Sequence, residues 1–188
     1  MRIIGGSLRG KSVNPPAGYP ARPTTDFARE GLFNVLDSEF FFDDLAVLDL
    51  FSGTGCVSFE FISRGAGSVI AVEMNPGNAA FISRTAAALG VSRSLQVVRH
   101  NVFDFIPLCS KRFDIVFADP PYALEGLSTI PDRVLACGLV YPEGYLIVEH
   151  PAGYDFAAHP SFVKEKKYGN VHFSFFRPAV GASGAAES

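Results

Sequence analysis

The chain has 188 residues, 48% of them hydrophobic and 19% charged, which is typical of a globular protein and excludes a disordered one. No apolar stretch approaches the roughly 20 residues that cross a bilayer, and the N-terminus lacks the apolar segment of a signal peptide. The three cysteines lie far apart without further ligands at metal spacing, so neither a disulfide framework nor a metal site is expected. A cytoplasmic protein without membrane contacts is predicted.

The length fits one domain, predicted here at residues 1–180, with a disordered tail at 181–188. Residues 1–20 form an N-terminal arm that contains a small hairpin and a proline-rich loop. The net charge of −3 is not a nucleic-acid signature, yet residues 1–30 carry more basic than acidic side chains. A second basic cluster follows at Lys164, Lys166 and Lys167. Either cluster could be ordinary solvated surface.

Alternating apolar strands and helices begin after residue 44. A helix is predicted from Thr25 or its neighbours, with an apolar face that includes Phe27, Leu32 and Phe33. The predicted strands cover residues 46–51, 68–73, 95–98, 113–118 and 144–149, and the predicted helices cover 56–64, 76–89, 102–108 and 127–136. Two alternating segments, 162–167 and 171–176, predict a closing antiparallel hairpin. The pattern favours an α/β fold with a doubly wound, mostly parallel sheet, an architecture that resembles the Rossmann-like class I methyltransferases.

The first candidate site is the glycine loop after the first strand, Asp49-Leu-Phe-Ser-Gly-Thr-Gly55. Gly53 and Gly55 allow a ligand to approach the backbone closely, and Ser58 occupies the place of the third glycine of a dinucleotide-binding loop. The acid on the strand, Asp49, suits a ligand with an ammonium group, such as S-adenosyl-L-methionine, better than a pyrophosphate. Glu73, at the end of the second strand, is placed to accept hydrogen bonds from ribose hydroxyls.

Asn101 follows the third strand and is a candidate for contact with an adenine edge, although a turn or helix-cap role fits it equally well. Val102 would pack beside the same ring. The predicted residues for binding S-adenosyl-L-methionine are Asp49, Phe51, Gly53, Gly55, Glu73, Met74, Asn101 and Val102.

The second candidate site is Asp119-Pro120-Pro121-Tyr122, at the end of the apolar strand 113–118. The Asp119 carboxylate and the Pro120 carbonyl can accept hydrogen bonds from an aromatic amine, while Pro121 makes the turn rigid and Tyr122 can stack on a base. Asp-Pro-Pro is also ordinary turn chemistry, so the catalytic interpretation depends on the glycine loop and Glu73.

These motifs, together with Arg2-Ile-Ile-Gly-Gly-Ser-Leu-Arg-Gly10, Arg22-Pro-Thr-Thr-Asp26 and Leu32-Phe33-Asn34, resemble the RsmD-type family. The resemblance implies transfer of a methyl group to the exocyclic N2 amine of a guanine in bacterial 16S ribosomal RNA. The partner would be the 30S subunit or its assembly intermediate, and a monomer is the default expectation. The predicted substrate-binding residues are Arg2, Arg9, Lys11, Arg22, Thr24 and Arg29. Phe27 departs from the family, which usually carries a basic residue there.

Three alternatives remain. An adenine-N6 DNA methyltransferase uses the same tetrapeptide, but this chain leaves no room for the target-recognition domain such enzymes usually add. A nicotinamide-dependent oxidoreductase would need the missing third glycine. A non-catalytic RNA-binding module would not explain the combination of Asp119, Glu73 and the glycine loop.

Overall fold

A computed structural model describes residues 2–15 and 25–179 of the chain. Its strands are β1 Ala46–Leu50, β2 Ser68–Val72, β3 Leu95–Val98, β4 Phe113–Ala118, β5 Val140–Pro151, β6 Phe162–Tyr168 and β7 Val171–Phe176. Its α-helices are α1 Asp26–Asp37, α2 Cys56–Arg64, α3 Pro76–Leu89, α4 Val102–Phe105 and α5 Ile130–Ala136. Short 3-10 turns at Ile106–Leu108 and Leu127–Thr129 extend α4 and precede α5. Among the described residues, no helix is long and apolar enough to cross a membrane.

The strands form one seven-stranded sheet in the order β3-β2-β1-β4-β5-β7-β6. The first five strands in this order are parallel to one another, whereas β7 is antiparallel to both β5 and β6. The predicted fold class, with its mixed C-terminal edge, is therefore confirmed. The strand order reverses between β1 and β4, where Leu50 pairs with Ala118. In such sheets a ligand crevice lies at the carboxyl ends of the strands beside the reversal.

Both faces of the sheet are covered by apolar side chains. Successive residues of a strand point to opposite faces, so Val47 joins one core and Leu48 the other. The face with Val47 also holds Phe33 of α1 and Phe61 of α2, whose rings meet edge to face at 4.8 Å between centroids. The opposite face packs against α4 and α5. This burial fixes the positions of the strand ends that carry the candidate site.

The N-terminal arm is anchored to α2 by a buried acid. The Oε2 and Oε1 atoms of Glu60 accept hydrogen bonds from the backbone N–H groups of Ile4 and Gly5, each at 2.8 Å. The predicted hairpin is reduced to one antiparallel bridge between Arg2 and Ser12. Residues 16–20 of the predicted arm and the predicted tail 181–188 lie outside the described residues.

Helix α1 differs from the prediction in which side chains it buries. Leu32 and Phe33 are in the core as expected, but the side chain of Phe27 is 68% exposed. Thr25 caps the helix by accepting a hydrogen bond from the N–H of Ala28. Phe27 therefore lies in the first turn, on the side of α1 that faces away from the core, whereas Ala28 is fully buried. The inclusion of Phe27 in the apolar face was wrong.

Candidate active site at the carboxyl ends of the parallel strands

The glycine loop between β1 and α2 has an unusual backbone. Phe51, Gly53 and Gly55 all have positive φ angles of 61°, 55° and 76°. Only glycine adopts this region freely, so the conformation of Phe51 is a local strain of the kind found at binding sites. A Cβ on Gly55 would lie only 3.0 Å from Ile82 of α3. The two glycines therefore allow the chain to turn tightly from β1 into α2.

Glu73 holds this loop to the end of β2. Its Oε2 atom accepts a hydrogen bond from the N–H of Gly53 at 2.8 Å, and its Oε1 atom accepts one from the N–H of Asn75 at 2.7 Å. Each carboxylate oxygen can accept a second hydrogen bond, so both retain capacity for ligand hydroxyls. The sequence placed Glu73 correctly at a strand end, but its contacts with the loop backbone were not foreseen.

Asp49 lies under the loop, and its side chain is only 1% exposed. Its Oδ2 atom accepts a short hydrogen bond of 2.5 Å from the Ser58 hydroxyl of α2. Burial raises the pKa of Asp49 to about 7, an effect that the Ser58 hydrogen bonds oppose and the nearby charge of Glu73 reinforces. No Lys, Arg or His forms an ion pair with Asp49 within the described part of the chain. This buried acid without a cationic partner fits a ligand that carries an ammonium group.

The end of β3 joins the same edge. Asn101 caps α4, since its side-chain oxygen accepts a hydrogen bond from the N–H of Phe103 at 2.8 Å. The Asn101 amide also contacts the sulfur of Met74 at 3.9 Å, which brings the ends of β2 and β3 together. The Met74 side chain is largely exposed, whereas Val102 is buried in the core on the α4 face. The helix-cap role of Asn101 is thus present, and an adenine contact stays a prediction.

The Asp119-Pro-Pro-Tyr122 turn begins directly after β4. The N–H of Asp119 donates to the carbonyl of Leu50 at 3.3 Å, so the turn lies beside the start of the glycine loop. Pro120 is buried, and Pro121 is exposed. The Tyr122 hydroxyl donates to Oε1 of Glu149 at 3.2 Å. The sheet therefore brings the two predicted constellations together.

Glu149, near the end of β5, was not among the predicted site residues. It is buried, and its contact with Tyr122 ties the tetrapeptide to the neighbouring strand. The signal that could have found it is the one that marked Glu73 and Asp119, namely an acid that closes an apolar strand. The sequence predicts the strand 144–149 but assigns no function to Glu149.

The predicted substrate-binding residues that the structure describes differ in exposure. Arg9 and Lys11 are exposed on the arm, but the adjoining Leu8 bonds to Ser63 near the C-terminal end of α2. The glycine loop lies at the other end of this nine-residue helix, about 13 Å away. Residues 4–8 of the arm thus lie against the C-terminal half of α2. Arg22 and Thr24 lie outside the described residues.

Arg29 requires a correction, because its side chain is only 1% exposed. Its guanidinium donates to the backbone carbonyl of Arg2 at 2.5 Å and to the carboxylate of Asp26 at 2.9 Å, and it lies 4.0 Å from Glu60. Buried arginines are paired in this way because an unpaired buried charge is costly. Arg29 therefore joins α1 to the arm and does not present a charge to RNA, whereas Arg2 is exposed.

The sheet order, the strained loop and the acids at the ends of β1, β2 and β4 define a class I methyltransferase fold. The solved structure "Putative methyltransferase yhhF from Escherichia coli" has a TM-score of 0.81 and 30% sequence identity, covering 95% of this chain and 97% of that one. The solved structure of a hypothetical protein from Thermus thermophilus has a TM-score of 0.83 and 29% identity, covering 94% of this chain and 99% of that one.

Sequence comparison defines the family. The family model "Conserved hypothetical protein 95" matches residues 1–177, and the chain belongs to this family. Ribosomal RNA small subunit methyltransferase D of Escherichia coli (strain K12) is 31% identical over 189 residues, or 98% of this chain and 94% of that protein. The predicted resemblance to the RsmD-type family is thereby confirmed.

Proposed function

We propose that this protein transfers a methyl group from S-adenosyl-L-methionine to the exocyclic N2 amine of a guanine in the 16S ribosomal RNA of the small ribosomal subunit. The observation that carries the proposal is the juxtaposition of Asp119 with the glycine loop, through the hydrogen bond from its N–H to Leu50. A relative that matches nearly the whole chain is named as a small-subunit ribosomal RNA methyltransferase, which supports the substrate class.

The cofactor would lie over the ends of β1, β2 and β3. The Glu73 carboxylate keeps acceptor capacity for the two ribose hydroxyls while it holds the loop. The ammonium group of the cofactor would offset the burial of the Asp49 charge, which otherwise lacks a cationic partner among the described residues. Phe51, Gly53 and Gly55 would shape the wall, and Met74, Asn101 and Val102 would surround the adenine. When bound, S-adenosyl-L-methionine supplies an activated methyl group on a sulfonium.

The protein's contribution to the chemistry is to hold the amine. An exocyclic amine is a weak nucleophile because its lone pair is delocalised into the ring. By accepting hydrogen bonds from both N–H groups, the Asp119 carboxylate and the Pro120 carbonyl would fix the nitrogen in position and favour positive charge on it. Tyr122 would stack on the base, and its bond to Glu149 keeps the ring at the crevice. No strong general base is needed, since the proton can leave after transfer.

The test is incubation of the protein with labelled S-adenosyl-L-methionine and 30S particles that lack the modification, followed by identification of the labelled nucleoside. We expect N2-methylguanosine in 16S RNA, and N6-methyladenine in DNA as the only product would refute the proposal. In the same assay Asp119→Ala should lose transfer by roughly 100-fold or more, since one pre-organised charge contact can contribute that much to the rate. Its affinity for S-adenosylhomocysteine should stay close to that of the unmodified protein.

A further inference from the structure

A groove of about 600 Å³ runs between helix α1 and the edge strand β6. It lies outside the proposed methyl-transfer site, and its walls combine aromatic and basic side chains. The lining residues that matter here are Phe27, Gly31, Asn34, Lys164, Lys166 and Tyr168.

An aromatic pair forms one end of the groove. The rings of Phe27 and Tyr168 meet edge to face, with 5.8 Å between centroids and 81° between planes. Gly31 makes this possible, because a Cβ there would collide with the Tyr168 ring. The Phe27 side chain remains 68% exposed, although the helix buries Leu32 and Phe33. The pair therefore presents a large apolar ring to solvent beside a half-buried one.

The charges of the groove are unevenly paired. Lys164 bonds to Glu39, which also lies 4.0 Å from Arg177, so two cations share one carboxylate at this end and a net positive charge remains. Lys166 is exposed and has no ion-pair partner among the described residues. Glu30 is exposed at the rim. The exposed cation of Lys166 beside two aromatic rings suits a nucleotide, whose base can stack on a π surface and whose phosphate can bind a positive charge.

The aromatic end lies at the same edge of the sheet as the candidate active site. Tyr168 pairs with Val171 across β6 and β7, and Val171 pairs with Pro151 at the end of β5. Two strand spacings separate Tyr168 from Pro151, a distance of about 10 Å. Glu149, which holds Tyr122, lies two residues before Pro151. A nucleotide in the groove would thus lie close to a base that is stacked on Tyr122.

We propose that this groove binds an unpaired RNA nucleotide that flanks the target guanine, with its base stacked on Phe27 and its phosphate bound by Lys166. The inference rests on the proposed function, which supplies the RNA substrate. Aromatic stacking tolerates any base, so the groove would contribute affinity and orientation and would not read the sequence.

The experiment measures steady-state methyl transfer to unmodified 30S particles. Phe27→Ala should raise the KM for the particles by about 5- to 150-fold, the factor expected for one lost stacked base, with kcat and S-adenosylhomocysteine affinity unchanged. Phe27→Tyr should retain the original KM. Phe41→Ala is the matched control, because Phe41 is 94% exposed but does not line the groove, and it should change nothing.

Two further variants distinguish an RNA nucleotide in the groove from a protein partner. Phe27→Leu keeps apolar bulk but removes the π surface, so it should behave like Phe27→Ala if a base stacks there. A Phe27→Leu variant with the original KM would instead indicate an apolar contact with a ribosomal protein and would overturn the inference. Lys166→Gln should reduce the slope of log KM against log salt by about 0.7, the value for one phosphate contact with a single strand.

The two proposals fail in different ways. If the unmodified protein methylates 16S RNA while Phe27→Ala keeps its KM, the groove proposal is wrong and the proposed function stands. If the unmodified protein transfers no methyl group to RNA, both the proposed function and the groove proposal are wrong. The exposed position of Phe27 argues against misfolding of its variants, and unchanged S-adenosylhomocysteine affinity would verify this.

Discussion

Replacing Asp49 by Asn should make the protein more stable, and the gain should increase with pH. Asn keeps the shape of the side chain and can still accept the hydrogen bond from Ser58, but it removes a carboxylate whose burial raises its pKa to about 7. In the unfolded chain the same carboxyl titrates near its ordinary value of about 3.8. Between these two pKa values the folded protein therefore keeps the proton on Asp49, whereas the unfolded chain has released it.

The sign of the effect follows from this difference in bound protons. Below about pH 3.8 Asp49 is protonated in both the folded and the unfolded state, so the burial of a charge at this position does not lower the free energy of unfolding. Between that value and about 7 only the folded state keeps the proton, so stability falls by about 1.4 kcal/mol per pH unit. Above pH 7 the loss is constant. From pH 5 to pH 8 the advantage of Asn over Asp should thus grow by roughly 3 kcal/mol.

The assay is urea unfolding of both proteins at half-unit steps from pH 5 to pH 8, so that effects of all other titrating groups cancel in the difference. Ser58→Ala is a useful companion, because loss of a hydrogen bond that lowers the pKa of Asp49 should move the transition to higher pH. A stability difference between Asp49→Asn and the unmodified protein that stays flat over this range would refute the reasoning. Asp49 would then titrate as an ordinary exposed acid does.

Two further predictions concern the tether of the tetrapeptide and the arm. Glu149→Ala should raise the KM for 30S particles about 3- to 10-fold, the cost of one hydrogen bond to Tyr122, and Glu149→Gln should restore most of the loss; an unchanged KM in the alanine variant would exclude a positioning role. Gly6→Ala should lower the free energy of unfolding by at least about 2 kcal/mol, because φ is +71° and a Cβ would collide with the last turn of α2. Gly10→Ala is its control in thermal unfolding, since φ is also positive there (+84°) but no atom lies within 4 Å of the added Cβ; equal losses in both variants would show that the contact with α2 contributes nothing.

Most of the sheet could be predicted because parallel strands buried on both faces leave a strong apolar signal. The prediction for β4, Phe113–Ala118, agrees with the structure, and so does that for β7, Val171–Phe176. Strand β5 is longer than predicted, since it starts at Val140, which pairs with Phe113 of β4. Three exposed residues, 141–143, separate Val140 from the apolar run, and the register with β4 shifts there. The periodicity of apolar residues indicates burial, so it gives no signal where a strand extends beyond the core.

The site was predictable to the extent that its residues sit at strand ends. Glu73 and Asp119 close apolar strands, and the order of the strands brings them to one edge. Long-range contacts were not predictable, because nothing near Tyr122 in the chain indicates that its hydroxyl bonds to Glu149, 27 residues away. The same holds for Asp49, whose burial depends on how α2 packs over the loop.

The basic N-terminal region shows why charge counted along a sequence is a weak guide to an RNA surface. Arg29 contributed to that count, but its guanidinium is used inside the protein to connect α1, the arm and Glu60. Removing the arm would therefore take away the backbone N–H groups of Ile4 and Gly5 that bond to the buried Glu60, and lost activity would reflect instability as much as lost RNA contacts. Charge reversal at exposed Arg9 avoids this problem, because it changes the surface and leaves the buried network intact.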